Sequence, residues 1–290
     1  MLRLSLQRRR SLLPWLFLGP GLLWLLIFFA LPLYQQLVVS LMSGNPEQGF
    51  QFDWAFSNFT TVISDYHEQF LRSIGYAAAA TVLCFVIAFP LAYFIAFKAG
   101  RWKNFMLLLI ILPFFVSYVL RTVSWQLILS DDGWIVGVLR DVGVLSDNGR
   151  LLASRTAVIA GITYNFLPFM ALPLYVSLEK IDRRLIEAAT DLYASRATAF
   201  RKVTLPLAIP GLFAGSLLTF IPAMGDFINA ALLGTPRQFM IGNVIQSKFL
   251  VTQDYPGAAA LSFILMAFIL LAIFLYARGL GAKNLSEAAI

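Results

Sequence analysis

The chain has 290 residues, of which 59% are hydrophobic and only 13% charged, with a formal net charge of +7. A soluble domain carries about 25% charged and about 45–50% apolar residues, so this chain has too few charges to clothe a water-facing surface. One cysteine, Cys84, and one histidine, His67, exclude a disulfide framework and a thiolate or imidazole metal cluster.

A hydrocarbon core about 30 Å thick needs roughly 20 mostly apolar residues in helical conformation. Six stretches meet or approach that length. The first, residues 15–41, follows a basic start; it is too long for a signal peptide and no small-residue cleavage site follows, so it reads as a retained helix. The second covers 74–97. The third, 105–120, is short unless it runs past Arg121 toward Leu129. The fourth covers 157–178, the fifth 207–224 and the sixth 258–276. Prolines at 20, 32, 90, 113, 168, 173 and 222 lie in or beside these spans, which predicts kinked helices, tolerated where a neighbour or a cavity satisfies the freed carbonyls. The segments 131–145 and 229–250 are expected to hold short interfacial helices.

Lys and Arg set the orientation. With the N-terminus inside, fifteen of the 22 basic residues fall on the inner side, including Arg3, Arg8, Arg9, Arg10 and Lys283, while ten of the 15 acidic residues fall outside. Both termini are thus expected in the cytoplasm, with Arg121, Arg140, Arg150 and Arg155 in the outer connection between the third and fourth spans. His67 and the pairs Asp53-Trp54, Asp65-Tyr66 and Asp131-Asp132 read as outer loop residues, either solvated or docking contacts for an external protein.

The inner segment between the fourth and fifth spans, residues 179–206, has its own pattern. Ile181, Leu185, Ala188, Ala189 and Leu192 recur at three- and four-residue steps, giving a short helix one apolar face, and Asp182 is placed to cap it. A second short helix is expected around 198–203, ending where Leu205-Pro206 opens the next span. By itself this describes any amphipathic loop on a membrane surface.

Glu187-Ala188-Ala189, then Asp191-Leu192, Ala194-Ser195, Phe200, Val203, Leu205-Pro206 and Pro210-Gly211, resembles the EAA loop of ABC-importer permeases. The order and length of the motif carry the likeness; the bare triplet recurs by chance at Glu287-Ala288-Ala289. One departure is Tyr193, where the family commonly has Gly. The resemblance implies an all-α polytopic membrane protein of the type I ABC importer permease fold. Its six transmembrane helices would form a single permease domain over 1–290, with a cytoplasmic helix–turn–helix inside it. It also implies that Glu187, Ala188, Ala189, Asp191 and Leu192 couple to a separate ATPase. The implied assembly, in a bacterial inner membrane, contains a homologous second permease, two cytoplasmic ATPase subunits and an external solute-binding protein. The chain lacks a G-x-x-x-x-G-K-[ST] loop, so ATP and Mg belong to the partner ATPase, and no cofactor or nucleic acid is expected on this chain.

Residues 220–229, 232–234 and 240–249, together with 112–122 and Trp125, resemble the spermidine/putrescine permeases, particularly the first of the pair. A polyamine is a row of ammonium groups on methylenes, and its path needs carboxylates separated by aromatic or apolar surface. Asp226, at the outer end of the fifth span, has two readings: an ammonium-facing carboxylate, or a helix terminator at the interface. Tyr34, Trp125, Tyr164 and Asn165 are the further pathway candidates, with packing as the other role open to each. An intramembrane protease lacks its membrane histidine here. A secondary transporter, the more serious rival, has no use for an EAA loop.

Overall fold

The computed structural model describes residues 17–146 and 148–279. Arg3, Arg8–Arg10, Trp15, Lys283, Glu287-Ala288-Ala289 and the cytoplasmic placement of both termini lie outside the described residues. Contacts divide the rest into two compact units: 17–65 with 247–266, and 66–246 with 267–279.

In the first unit, α1 (Phe17–Ser40) is long and apolar enough to cross a membrane, and only Ser40 at its end is buried. A hairpin follows, absent from the all-α expectation: β1 (Met42–Asn45) pairs antiparallel with β2 (Gly49–Phe52). Asn58 Nδ2 fastens this corner by donating to the carbonyls of Ser40 and Met42, at 2.9 and 2.8 Å. Asp53 and Trp54 lie in the loop after β2, as expected, and Asp53 accepts from Ser43 at 3.3 Å.

The second predicted span begins much earlier than 74. Helix α2 (Ser57–Phe97) has 41 residues and one non-helical residue, Tyr66, so Asp65, Tyr66 and His67 belong to a helix rather than a loop. Their polarity hid the helix, because an apolar window detects only its membrane part. Cys84 lies buried on α2, its thiol donating to the Thr163 carbonyl at 3.3 Å.

The third span is broken. Helix α3 (Gly100–Phe115) and helix α4 (Tyr118–Ile128) meet at 96°. Pro113 sits in a tight 3-10 turn, and Val116 (ψ 137°) and Ser117 (ψ 141°) are extended, so the backbone ladder stops before Tyr118 restarts it. Among the described residues, five helices qualify as membrane spans, or six with this pair counted as one. Arg121 is therefore not in an outer connection; it is buried on α4. Asp131-Asp132 does lie in a turn, where Asp131 pairs with Arg150 at 3.2 Å. Helix α5 (Trp134–Asp141) fills the predicted interfacial segment.

Helix α6 (Arg155–Glu179) is the centre of the second unit, with Val158, Ile162, Met170, Leu174 and Leu178 fully buried. After the short helix α7 (Arg183–Asp191) comes α8 (Arg196–Met224). No boundary falls at Leu205-Pro206, contrary to expectation. A wide turn at Phe200–Thr204, closed by Leu205 N–H to Phe200 O, precedes Pro206 and lets the helix pass it. Ala208, Gly211, Gly215 and Thr219 form a buried small-residue stripe on α8. A Cβ on Gly211 would sit 2.6 Å from the Pro173 carbonyl oxygen, which shows how closely the α6 and α8 backbones approach. Between helices in lipid such contact replaces the hydrophobic drive that water supplies elsewhere. Helices α9 (Ile228–Leu233) and α10 (Ile241–Leu250) occupy the predicted outer segment, and α11 (Tyr255–Gly279) is the last span. Exposed Leu108, Leu109, Leu270, Leu271, Phe274 and Leu275 suit a lipid surround.

Candidate functional site: a docking loop and a buried polar cluster

The loop after α6 is pinned at its base and open at its tip. Lys103 pairs with Glu179, Arg183 donates to the Phe97 carbonyl at 3.3 Å, and the Phe200 ring packs 5.7 Å from Phe89 and 5.9 Å from Tyr93. Asp182 caps α7 by accepting from Arg184 N at 3.0 Å, as the sequence predicts, and Ser195 caps α8 by accepting from Thr198 N at 3.2 Å. The end of α7 is a Schellman motif: Tyr193 N bonds to Thr190 O and Ala194 N to Ala189 O, each at 3.0 Å. This motif needs a left-handed residue, which explains why Gly suits the position. Tyr193 adopts it with φ +62°. Glu187, Ala188 and Asp191 are exposed and Ala189 half-buried. Leu185 is 50% and Leu192 81% exposed, so the apolar face of α7 is not covered by this chain.

The second feature lies where α4, α6 and α9 meet. Asp226 is 6% exposed, Asn229 and Thr122 are 0%, and Asn165 is 1%. Asp226 Oδ2 accepts from the Tyr118 hydroxyl and from Asn229 Nδ2 at 2.7 Å, while Oδ1 accepts from Asn229 N at 2.9 Å. Asn229 Nδ2 also reaches the Tyr118 oxygen at 2.7 Å. Asn165 Nδ2 donates to Thr122 Oγ1 at 3.2 Å and to Asn229 Oδ1 at 3.3 Å. A continuous network therefore runs from Asp226 to Asn165. Asp226 thus accepts from the first turn of α9 and is buried against α4.

The pathway candidates fare differently. Asn165 joins Asp226 through Asn229. Trp125 and Tyr164 flank the network, their rings 5.4 Å apart edge to face. Tyr34 is 64% exposed on α1 and belongs to the first unit. Sequence reasoning missed Tyr118, Thr122, Arg121 and Asn229. Three of these sit at i, i+3 and i+4 of α4, a polar stripe in an apolar segment, and that spacing was the available signal.

Apolar helices built around small-residue contacts, one span broken inside the bundle, and an exposed capped helix between two spans define a polytopic membrane permease. The chain belongs to the family described as binding-protein-dependent transport system inner membrane component, which matches residues 88–278, and is an ABC importer permease. The spermidine/putrescine transport system permease protein PotB of Haemophilus influenzae is 36% identical over 256 residues, covering 88% of this chain and 90% of that one. The inner membrane ABC transporter permease protein YdcU of Escherichia coli is 34% identical over 210 residues, covering 68% and 67%. A chain of a bacterial alginate ABC transporter, solved with an alginate pentasaccharide-bound periplasmic protein, has a TM-score of 0.73 and 21% identity over 98% of this chain and 99% of that one; it supports the fold.

Proposed function

We propose that this chain is the permease subunit through which an ATP-driven importer moves polyamines such as spermidine and putrescine into the cytoplasm by alternating access. The observation that carries the solute is the 36% identity to a spermidine/putrescine permease along 88% of the chain. The buried carboxylate of Asp226 supports it, because a charge inside a bilayer is retained only for a purpose and a polyamine supplies the opposite charge. Glu187, Ala188, Ala189, Asp191 and Leu192 form the surface that docks on the ATPase. The small side chains at 188 and 189 allow close approach, and Leu192 offers an uncovered apolar contact. That ATPase, present twice, uses ATP and Mg; this chain binds no cofactor of its own. A homologous second permease completes the path, and an external receptor delivers the solute. Both termini lie on the side of the docking loop, in the cytoplasm of a bacterial inner-membrane system.

The test is uptake of labelled spermidine by the reconstituted complex, competed by putrescine, an amino acid and a sugar. Putrescine should compete. Competition by the sugar alone, or no spermidine uptake, would leave the permease class standing and remove the solute.

A further inference from the structure

Arg121 is the charge that the proposed function leaves unused. The residue is 7% exposed, and its Nε and Nη1 are buried without a hydrogen-bond partner among the described residues. Aromatic faces hold it instead: its Cζ lies 5.1 Å from the centroid of Phe114 and 5.6 Å from that of Tyr118. Phe114 ends α3 and Tyr118 begins α4, so one guanidinium bridges the two sides of the 96° break. The series closes through α6, with ring centroids 5.1 Å apart for Phe114–Phe169, 6.0 Å for Phe166–Phe169 and 6.0 Å for Tyr118–Phe166. Beyond Tyr118 comes the Asp226 carboxylate, hydrogen-bonded to its hydroxyl.

Ring faces beside a carboxylate are the chemistry that holds an alkylammonium ion. Asp226 accepts from Tyr118, from Asn229 Nδ2 and from the amides of Asn229 and Ile228, none of which carries a net charge to balance its own. The guanidinium meanwhile satisfies neither buried donor, so the attraction of the rings is offset by hydrogen bonds it forgoes. Resting on the amine-import reading above, we propose that the Phe114–Tyr118 cage beside Asp226 is a binding site for a primary ammonium group, occupied in this conformation by Arg121 as a tethered substitute. An arriving ammonium displaces the guanidinium. One cation replaces another within the ring cage, so the exchange adds no net charge to a low-dielectric region. It also removes the clamp shared by Phe114 and Tyr118, which frees the joint at Val116–Ser117 to change its angle.

The experiment is equilibrium binding of labelled spermidine to the complete transporter in lipid nanodiscs, without the external receptor. A tethered competitor lowers apparent affinity by the fraction of time it occupies the site, so Arg121→Gln should bind spermidine about tenfold more tightly if occupancy is about 90%. Guanidinium chloride should compete with spermidine at about tenfold lower concentration in Arg121→Ala than in the native complex, an effect a purely structural arginine would not produce. If Arg121→Gln fails to assemble, Arg121→Lys keeps the charge but reaches the rings less well, and should tighten binding by a smaller factor, about threefold. Unchanged or weaker binding in an assembled variant overturns the proposal. A native complex that transports spermidine beside an unaltered Arg121→Gln removes this site alone. A native complex that neither binds nor transports polyamines overturns both this site and the solute assignment.

Discussion

Replacing Tyr193 by Gly should make the docking loop more rigid. Tyr193 is 99% exposed, so its side chain contributes no packing within this chain, while its φ of +62° places an L-residue in left-handed backbone. That conformation costs about 1–2 kcal/mol for a residue with a Cβ. Glycine removes this term but gives back roughly 0.5–1 kcal/mol through the greater freedom of the unfolded segment. Taking the middle of both ranges, the net gain is about 0.75 kcal/mol, roughly a three- to fourfold change in a local opening equilibrium. The assay is hydrogen exchange at the amides of 193 and 194, whose partners are Thr190 O and Ala189 O. After correction for intrinsic rates, Tyr193→Gly should slow exchange at both by that factor. Tyr193→Val, β-branched and worse at positive φ, should accelerate it. Faster or unchanged exchange in Tyr193→Gly would refute the left-handed assignment.

Four more perturbations separate structure from mechanism. Gly211→Ala places a methyl 2.5 Å from Ser177 Cβ and 2.6 Å from the Pro173 oxygen, and should destabilise the α6–α8 contact by about 1–3 kcal/mol, read as a lower midpoint of heat-induced aggregation. Ala188→Trp should leave the spans inserted and abolish both transport and solute-stimulated ATPase; normal transport would take the loop out of coupling. Asp226→Asn should sharply reduce uptake with assembly intact, and Asp226→Glu should keep part of it, whereas equal uptake in both would show that Asp226 serves only as a cap for α9. A cysteine introduced at Ser195 should be labelled from the cytoplasmic side; labelling only from outside intact cells would invert the topology.

Where the chain obeys periodicity, the sequence was easy to read. Residues 157–178 and 258–276 were predicted as spans, and the helices are Arg155–Glu179 and Tyr255–Gly279. The cap at Asp182 follows from a side chain that competes for backbone amides, a local effect visible in the sequence, whereas the equivalent cap at Ser195 is not among the predicted ones. Tertiary effects were not visible. Pro113 announces a disturbance but not a 96° turn, which depends on what α4 packs against. Pro206 looks like a boundary because a proline lacks a donor, yet the wide turn before it absorbs the defect. Asp226 stands out as a charge in an apolar setting, whereas Asn229, the hub of its hydrogen bonds, is neutral, and nothing in its own neighbourhood marks it. Tyr118 and Arg121 are hidden in the sequence because their segment reads as a continuous span or a connection, and only the break turns them inward.

The unbroken course of α8 has a mechanical side. Its 29 residues rise about 1.5 Å each, giving a rod of roughly 43 Å whose first residue follows Ser195 and whose last precedes Gly225-Asp226. A rod of this kind has little lost motion: a tilt or push applied beside Ser195 arrives at Asp226 without a joint in which to dissipate. The wide turn at Phe200–Thr204 carries the helix past Pro206, so one element links the docking loop to the start of the Asp226 network.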